Sequence, residues 1–140
     1  MKNANKFMSL RTLVVDGGEL CCSQLMEVLH LNGYVSVFVA HNVSDGVRMA
    51  KRHRPDVIFL DSAMLEISEL AVIVEIKKTL PAVAILMMSR IYANDRRTNN
   101  LLTNSVKYGA HGFIFKPFND HSIIGVMAKI SARFSMARAA

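Results

Sequence analysis

Five short runs of this chain are nearly continuous in apolar residues, at 10–15, 35–40, 57–60, 83–88 and 113–115. Each is followed by a longer stretch in which apolar residues recur at helical spacing. A strand with one wet face alternates apolar and polar side chains. These runs do not, so the sheet they build must be covered on both faces. Dry strands alternating with helices define a doubly wound α/β domain, a five-stranded parallel sheet with helices on both faces. Four of the runs stop abruptly on a polar group: LVVD at Asp16, VIFLD at Asp61, ILMMS at Ser89 and FIFK at Lys116.

Helices are expected over 19–31, 43–52, 69–78, 101–108 and 123–133. Asn32-Gly33 and Gly109 stop the first and fourth. Pro55 and Pro81 close the second and third, and Ser44 is a candidate cap of the second. The polar stretch 90–100 reads as the longest loop. Leu20, Leu25, Met26, Val28 and Leu29 are spaced as the apolar face of the first helix. Ile124, Val126, Met127, Ile130 and Phe134 form a stripe on the last. Residues 131–140 either continue that helix as an amphipathic surface or fray.

At 140 residues, 51% of them hydrophobic, the chain suits one domain with a sizeable core. The expected core is about 10–130, flanked by a short N-terminal arm and a C-terminal helical extension. No run approaches the ~18 apolar residues of a membrane span. The start, MKNANKFMSL, has no apolar signal region, so the cytoplasm is the default location. The two cysteines, Cys21 and Cys22, are adjacent, which suits neither a disulfide framework nor a metal site. They read as small helix residues, one facing inward. His30, His41, His53, His111 and His121 show no ligand spacing. The formal net charge is +6. The cations are scattered along the sequence except for Lys51-Arg52-His53-Arg54, at a helix end where they suit the dipole. Charge alone therefore gives a nucleic-acid role little support.

Ligands of such sheets bind outside the carboxyl ends of the strands. There the chain gathers two carboxylates, a hydroxyl and an ammonium. Singly, each has an ordinary explanation: an Asp after a strand caps the next helix, and a Lys-Pro makes a turn. Together they suit phosphoryl transfer. Carboxylates hold a hard divalent cation, or one attacks phosphorus. An ammonium and a hydroxyl then hold the phosphoryl oxygens.

The pattern LVVD(16), PDVIFLD(61)SAM, ILMMS(89) and YGAHGFIFK(116)PF resembles the receiver domain of bacterial two-component response regulators, over about residues 10–130. The resemblance implies a flavodoxin-like strand order, 2-1-3-4-5. It implies a phosphoacceptor at Asp61 and magnesium held by Asp16, Asp61 and the backbone carbonyl of Ala63. Ser89 and Lys116 would contact the phosphoryl group, with Ser89 and Phe113 as switch residues and the Lys116–Pro117 bond cis. A histidine kinase or histidine phosphotransfer protein would be the donor, and a downstream protein the target. A homodimer through the face of the fourth helix, fifth strand and last helix is open to such a fold. No effector or DNA-binding domain and no membrane segment are expected. The domain would not be an enzyme beyond its own phosphorylation and dephosphorylation.

The sequence also departs from the family. Gly17 stands where receivers usually have a second acid, so magnesium should bind more weakly, or water replaces the missing ligand. Lys116 is then free to pair with Asp61. Glu19 falls in the first helical turn and is not a replacement. Leu65 and Glu69 replace the usual Pro and Gly, which leaves open another loop shape or an earlier third helix. Arg90 follows Ser89 in place of a small residue, either screening the site or adding a phosphate contact. Phe113 is either a rotameric switch or plain packing. Two functions follow: a stand-alone, phosphoaccepting response regulator, or a pseudo-receiver that binds partners with weak or no phosphorylation. A hydrolase with an Asp nucleophile would want an acid at Ala63, and GxxxxGK[ST] is absent.

Overall fold

The computed structural model describes residues 10–90 and 95–139. The expected N-terminal arm lies outside the described residues. Strands and helices alternate: β1 (Thr12–Val15), α1 (Glu19–Leu31), β2 (Val37–Ala40), α2 (Val43–His53), β3 (Val57–Asp61), α3 (Ala71–Thr79), β4 (Ala84–Arg90), α4 (Arg96–Tyr108), β5 (Gly112–Lys116) and α5 (Asp120–Ala139). All strand pairs are parallel, in the order β2-β1-β3-β4-β5, as the resemblance implied.

Successive strand residues point to opposite faces, and both faces are buried. Leu13, Val15, Ile58, Leu60, Ile85 and Met87 pack with Ala50 of α2, Ile73 of α3 and Leu101 of α4. Val14, Phe59, Leu86, Met88 and Ile114 pack on the other side with Leu25 of α1 and Met127 of α5. That two-sided burial is why the strands carry no polar alternation.

Several boundaries differ from expectation. Asn42, not Ser44, caps α2, its side chain accepting from the Asp45 N–H at 2.7 Å. The cap must stand outside the helix in extended backbone, and Ser44 is already inside. The long loop shrinks from both sides. β4 runs on to Arg90, paired with Lys116 of β5, and α4 starts at Arg96 because Asp95 caps it through the Thr98 N–H. Positions 91–94 of that loop lie outside the described residues. Two 3₁₀ turns, Ser62–Met64 and Ile67–Glu69, follow β3, and α3 begins only at Ala71. Leu20 faces solvent, while Cys22, Leu25 and Leu29 form the buried side of α1. α5 continues to Ala139, so the tail is a helical extension over that length.

α2 lies close against the end of β1. A Cβ on Gly46 of α2 would stand 2.9 Å from a Val15 methyl. Only a glycine lets the helix lie this close to the strand end.

Candidate functional site

The β1, β3, β4 and β5 termini bring Asp16, Asp61, Ser89 and Lys116 to one rim, as their sequence positions required. Asp16 is held from several sides. Its Oδ1 accepts the Gly18 N–H at 2.8 Å, and its Oδ2 accepts Lys116 Nζ at 2.5 Å. Its backbone carbonyl accepts from Cys22 Sγ and from Nδ1 of His41. With that carbonyl as acceptor, His41 carries its proton on Nδ1. The His41 contact is not legible in the sequence, because it comes from the residue after β2, beside β1 only in the folded sheet.

Lys116 Nζ also stands 3.5 Å from Asp61 Oδ2. The expected pairing of Lys116 with Asp61 is therefore the longer arm of a bridge, and Asp16 holds the closer one. All three side chains are withdrawn from solvent, at 2%, 13% and 14% exposure for Asp16, Asp61 and Lys116. Burial pushes the Asp61 carboxyl up, and the charge of Asp16 adds to it, against the attraction of Lys116. Burial acts the same way on Asp16, but the hydrogen bonds from Lys116 and Gly18 outweigh it and hold that carboxyl below its ordinary value. Burial opposes the Lys116 ammonium, yet the Asp16 hydrogen bond and both carboxylate charges hold its pKa above the usual value. The site is thus an asymmetric pair: Asp16 is firmly ionised, and Asp61 is the more basic of the two carboxylates.

Asp61 Oδ1 accepts the Ala63 N–H at 3.2 Å. Its other side opens into a cleft of about 390 Å³, also lined by Ser89, Arg90, Arg97 and Thr98. Ser89 is buried at 2% exposure. Arg90 stands at the rim, lining this cleft and a second one of about 400 Å³ that includes Lys116, Cys21 and Phe118. Arg97 and Thr98 are not legible in the sequence as cleft residues, because the polar stretch around them reads as loop. Asp95 before RRTNNLL was the available signal, a cap residue ahead of a helical run. Arg97 pairs with Glu66 of the turn after β3. Phe113 is 39% exposed on β5, so core packing does not explain it. Glu19 is exposed in the first turn of α1 and lies outside this cluster.

Gly17 has room for a side chain. A Cβ there meets nothing closer than the His41 carbonyl at 3.7 Å, an ordinary contact, and its backbone is not left-handed. The missing acid is therefore a matter of chemistry, not of space. Among the described residues no group of three or more His, Cys, Asp or Glu side chains is placed to hold a metal. Two carboxylates, one of them facing an open cleft, fit magnesium, which takes one or two carboxylates and completes its shell with water and phosphate oxygens.

A parallel sheet in this order, with two carboxylates and a lysine at its carboxyl rim, is the arrangement of a receiver type of signalling domain. The model of the response regulator receiver domain matches residues 12–128, and the chain belongs to that family. It is 27% identical to the chemotaxis protein CheY of Bacillus subtilis over 122 residues, which is 87% of this chain and 98% of that protein. It is equally 27% identical to CheY of Thermotoga maritima over 124 residues, 89% and 99% of the two chains. A response regulator receiver domain structure from Clostridium thermocellum superposes with a TM-score of 0.77 at 20% identity, over 91% of this chain and 98% of that one. Receiver domains are signalling domains, and no helix among the described residues is long and apolar enough to cross a membrane.

Proposed function

We propose that this chain is a phosphoaccepting receiver that takes a phosphoryl group on Asp61 and signals by protein–protein contact. The observation that carries this is the Lys116 ammonium bridging Asp16 at 2.5 Å and Asp61 at 3.5 Å, beside a cleft that opens onto Asp61. An Asp61 carboxylate oxygen attacks phosphorus of a phosphohistidine on a kinase or phosphotransfer protein. The P–N bond breaks, its electron pair stays on the imidazole, which takes up a proton, and an acyl phosphate forms. Lys116 then faces the new phosphoryl oxygens, and Ser89 stands within the same cleft to donate its hydroxyl. Asp16, Asp61 and the Ala63 carbonyl would hold magnesium, which supplies neutralising charge to those oxygens. The new charge in the cleft draws Ser89 inward and repositions Phe113, and so alters the surface around α4 and β5.

Treatment with phosphoramidate followed by borohydride reduction should convert Asp61, and no other Asp, to homoserine. Homoserine formed elsewhere, or an undiminished yield in Asp61→Asn, overturns the assignment.

A second reading is a binding module with little phosphorylation. It is favoured by Gly17, which leaves two carboxylates where Lys116 already neutralises one. Efficient Mg²⁺-dependent labelling would exclude it.

A further inference from the structure

We propose that Arg90 is a specificity-determining residue for the phosphodonor, a second cationic contact that makes Asp61 favour dianionic acyl phosphates. This rests on the phosphoacceptor reading above and names the class of small donor the site takes. The strand register places the residue. Side chains two apart on a strand share a face. Val14, Phe59, Met88 and Ile114 all pack on the α1 and α5 side of the sheet. Two positions further along the same four stretches of chain stand Asp16, Asp61, Arg90 and Lys116. Met88 lies opposite Asp61, and Arg90 lies opposite Lys116. One face of the rim therefore carries two acids and two cations.

The two cations are not equivalent. Lys116 is withdrawn from solvent and engaged by Asp16 at 2.5 Å and Asp61 at 3.5 Å. Arg90 is exposed. Among the described residues, none forms an ion pair or hydrogen bond with its side chain. Like charges directly opposite on neighbouring strands repel, so the fold sets this guanidinium beside an ammonium without giving it an anion. Two arginines line the cleft at Asp61. Arg97 is paired with Glu66, which leaves Arg90 for an incoming group.

The charges identify what that group is. Two carboxylates and one ammonium leave Asp16, Asp61 and Lys116 with one net negative charge, which repels a phosphoryl dianion. Arg90 brings the rim to neutrality before any metal binds. Its planar fork matches phosphoryl oxygens. The cleft of about 390 Å³ remains open onto Asp61 with Arg90 in its wall, so the side chain flanks the approach and does not block it. With acetyl phosphate as donor, an Asp61 oxygen attacks phosphorus. The P–O bond to the acetyl group breaks, and its electron pair leaves with acetate. Arg90 acts on the approach and hold of the dianion, not on bond breaking.

The test compares labelling rates of the full chain with acetyl phosphate, a dianion at pH 7, and phosphoramidate, a monoanion. Arg90→Met keeps the length of the side chain and removes its charge. It should slow acetyl phosphate labelling by about tenfold and phosphoramidate labelling by about threefold or less, the scale of one hydrogen bond to a charged group. The loss should lie in the half-saturating donor concentration, and Arg90→Lys should recover part of it. An equal loss with both donors, no loss, or faster labelling in Arg90→Met, which would make Arg90 a screen, overturns the proposal. Binding of inorganic phosphate to Asp61→Asn is measured in parallel by phosphorus NMR. Adding Arg90→Met should weaken it by about tenfold, and unchanged binding overturns the contact. A wild type labelled by neither donor defeats the phosphoacceptor reading, and the phosphate comparison then decides the role of Arg90 on its own.

Discussion

At the residue scale, two carboxylates that share one lysine behave oppositely. Asp16 has its pKa lowered by folding, so its ionised form stabilises the native state above the unfolded value, near 3.8. That contribution is lost as pH falls through the native value. Asp61 has its pKa raised by burial, so its charge costs stability at neutral pH, and acid relieves the cost as pH falls through the raised value. In metal-free buffer at pH 7, Asp16→Asn should lower stability by about 1.5–3 kcal/mol, the range for hydrogen bonds to charged groups. Asp61→Asn should be neutral or stabilising. Urea denaturation of both variants checks the contrast, and equal losses would show that the bridge is symmetric. Gly17→Asp should fold normally, given its open Cβ position, and should bring Mg²⁺-dependent labelling to lower Mg²⁺ concentration. The four strand-end residues were legible in the sequence because each terminates an apolar run. Which carboxylate Lys116 prefers was not legible. It depends on ångström differences among three strand ends.

At the element scale, α2 packs against Val15, the residue before Asp16, at Gly46. Gly46→Ala gains helix propensity but puts a methyl into a filled space against a buried strand residue. A net destabilisation of about 1–3 kcal/mol is expected, with weaker Mg²⁺ binding as Asp16 moves. A thermal melt that rises instead would mean Val15 repacks freely. The strands and the order of elements were readable from periodicity, because dry strands and amphipathic helices differ in period. Helix starts were less readable. Asn42 and Asp95 cap through side-chain oxygens, but one precedes a sequence with a second plausible cap and the other opens a polar helical turn. The polarity of RRTNN hid the first turn of α4, whose apolar residues begin at Leu101. The burial of Leu25 and Leu29 and the exposure of Leu20 show the same limit: spacing identifies a helix but not how wide its buried face is.

At the scale of the whole molecule, the parallel fold gathers at the carboxyl ends of the strands an acid pair, two cations and a cleft that the linear sequence disperses. Topology, not composition, creates that rim. The central proposal is that an acyl phosphate forms on Asp61 with one carboxylate fewer than receivers usually carry, and intact mass spectrometry after incubation with a small phosphodonor, with and without Mg²⁺, tests it most directly on wild type and Asp61→Asn. The expected result is an added phosphoryl mass that requires both Mg²⁺ and Asp61. A folded wild-type protein that gains no mass at millimolar Mg²⁺, from a small donor or from a phosphorylated histidine kinase, would contradict it.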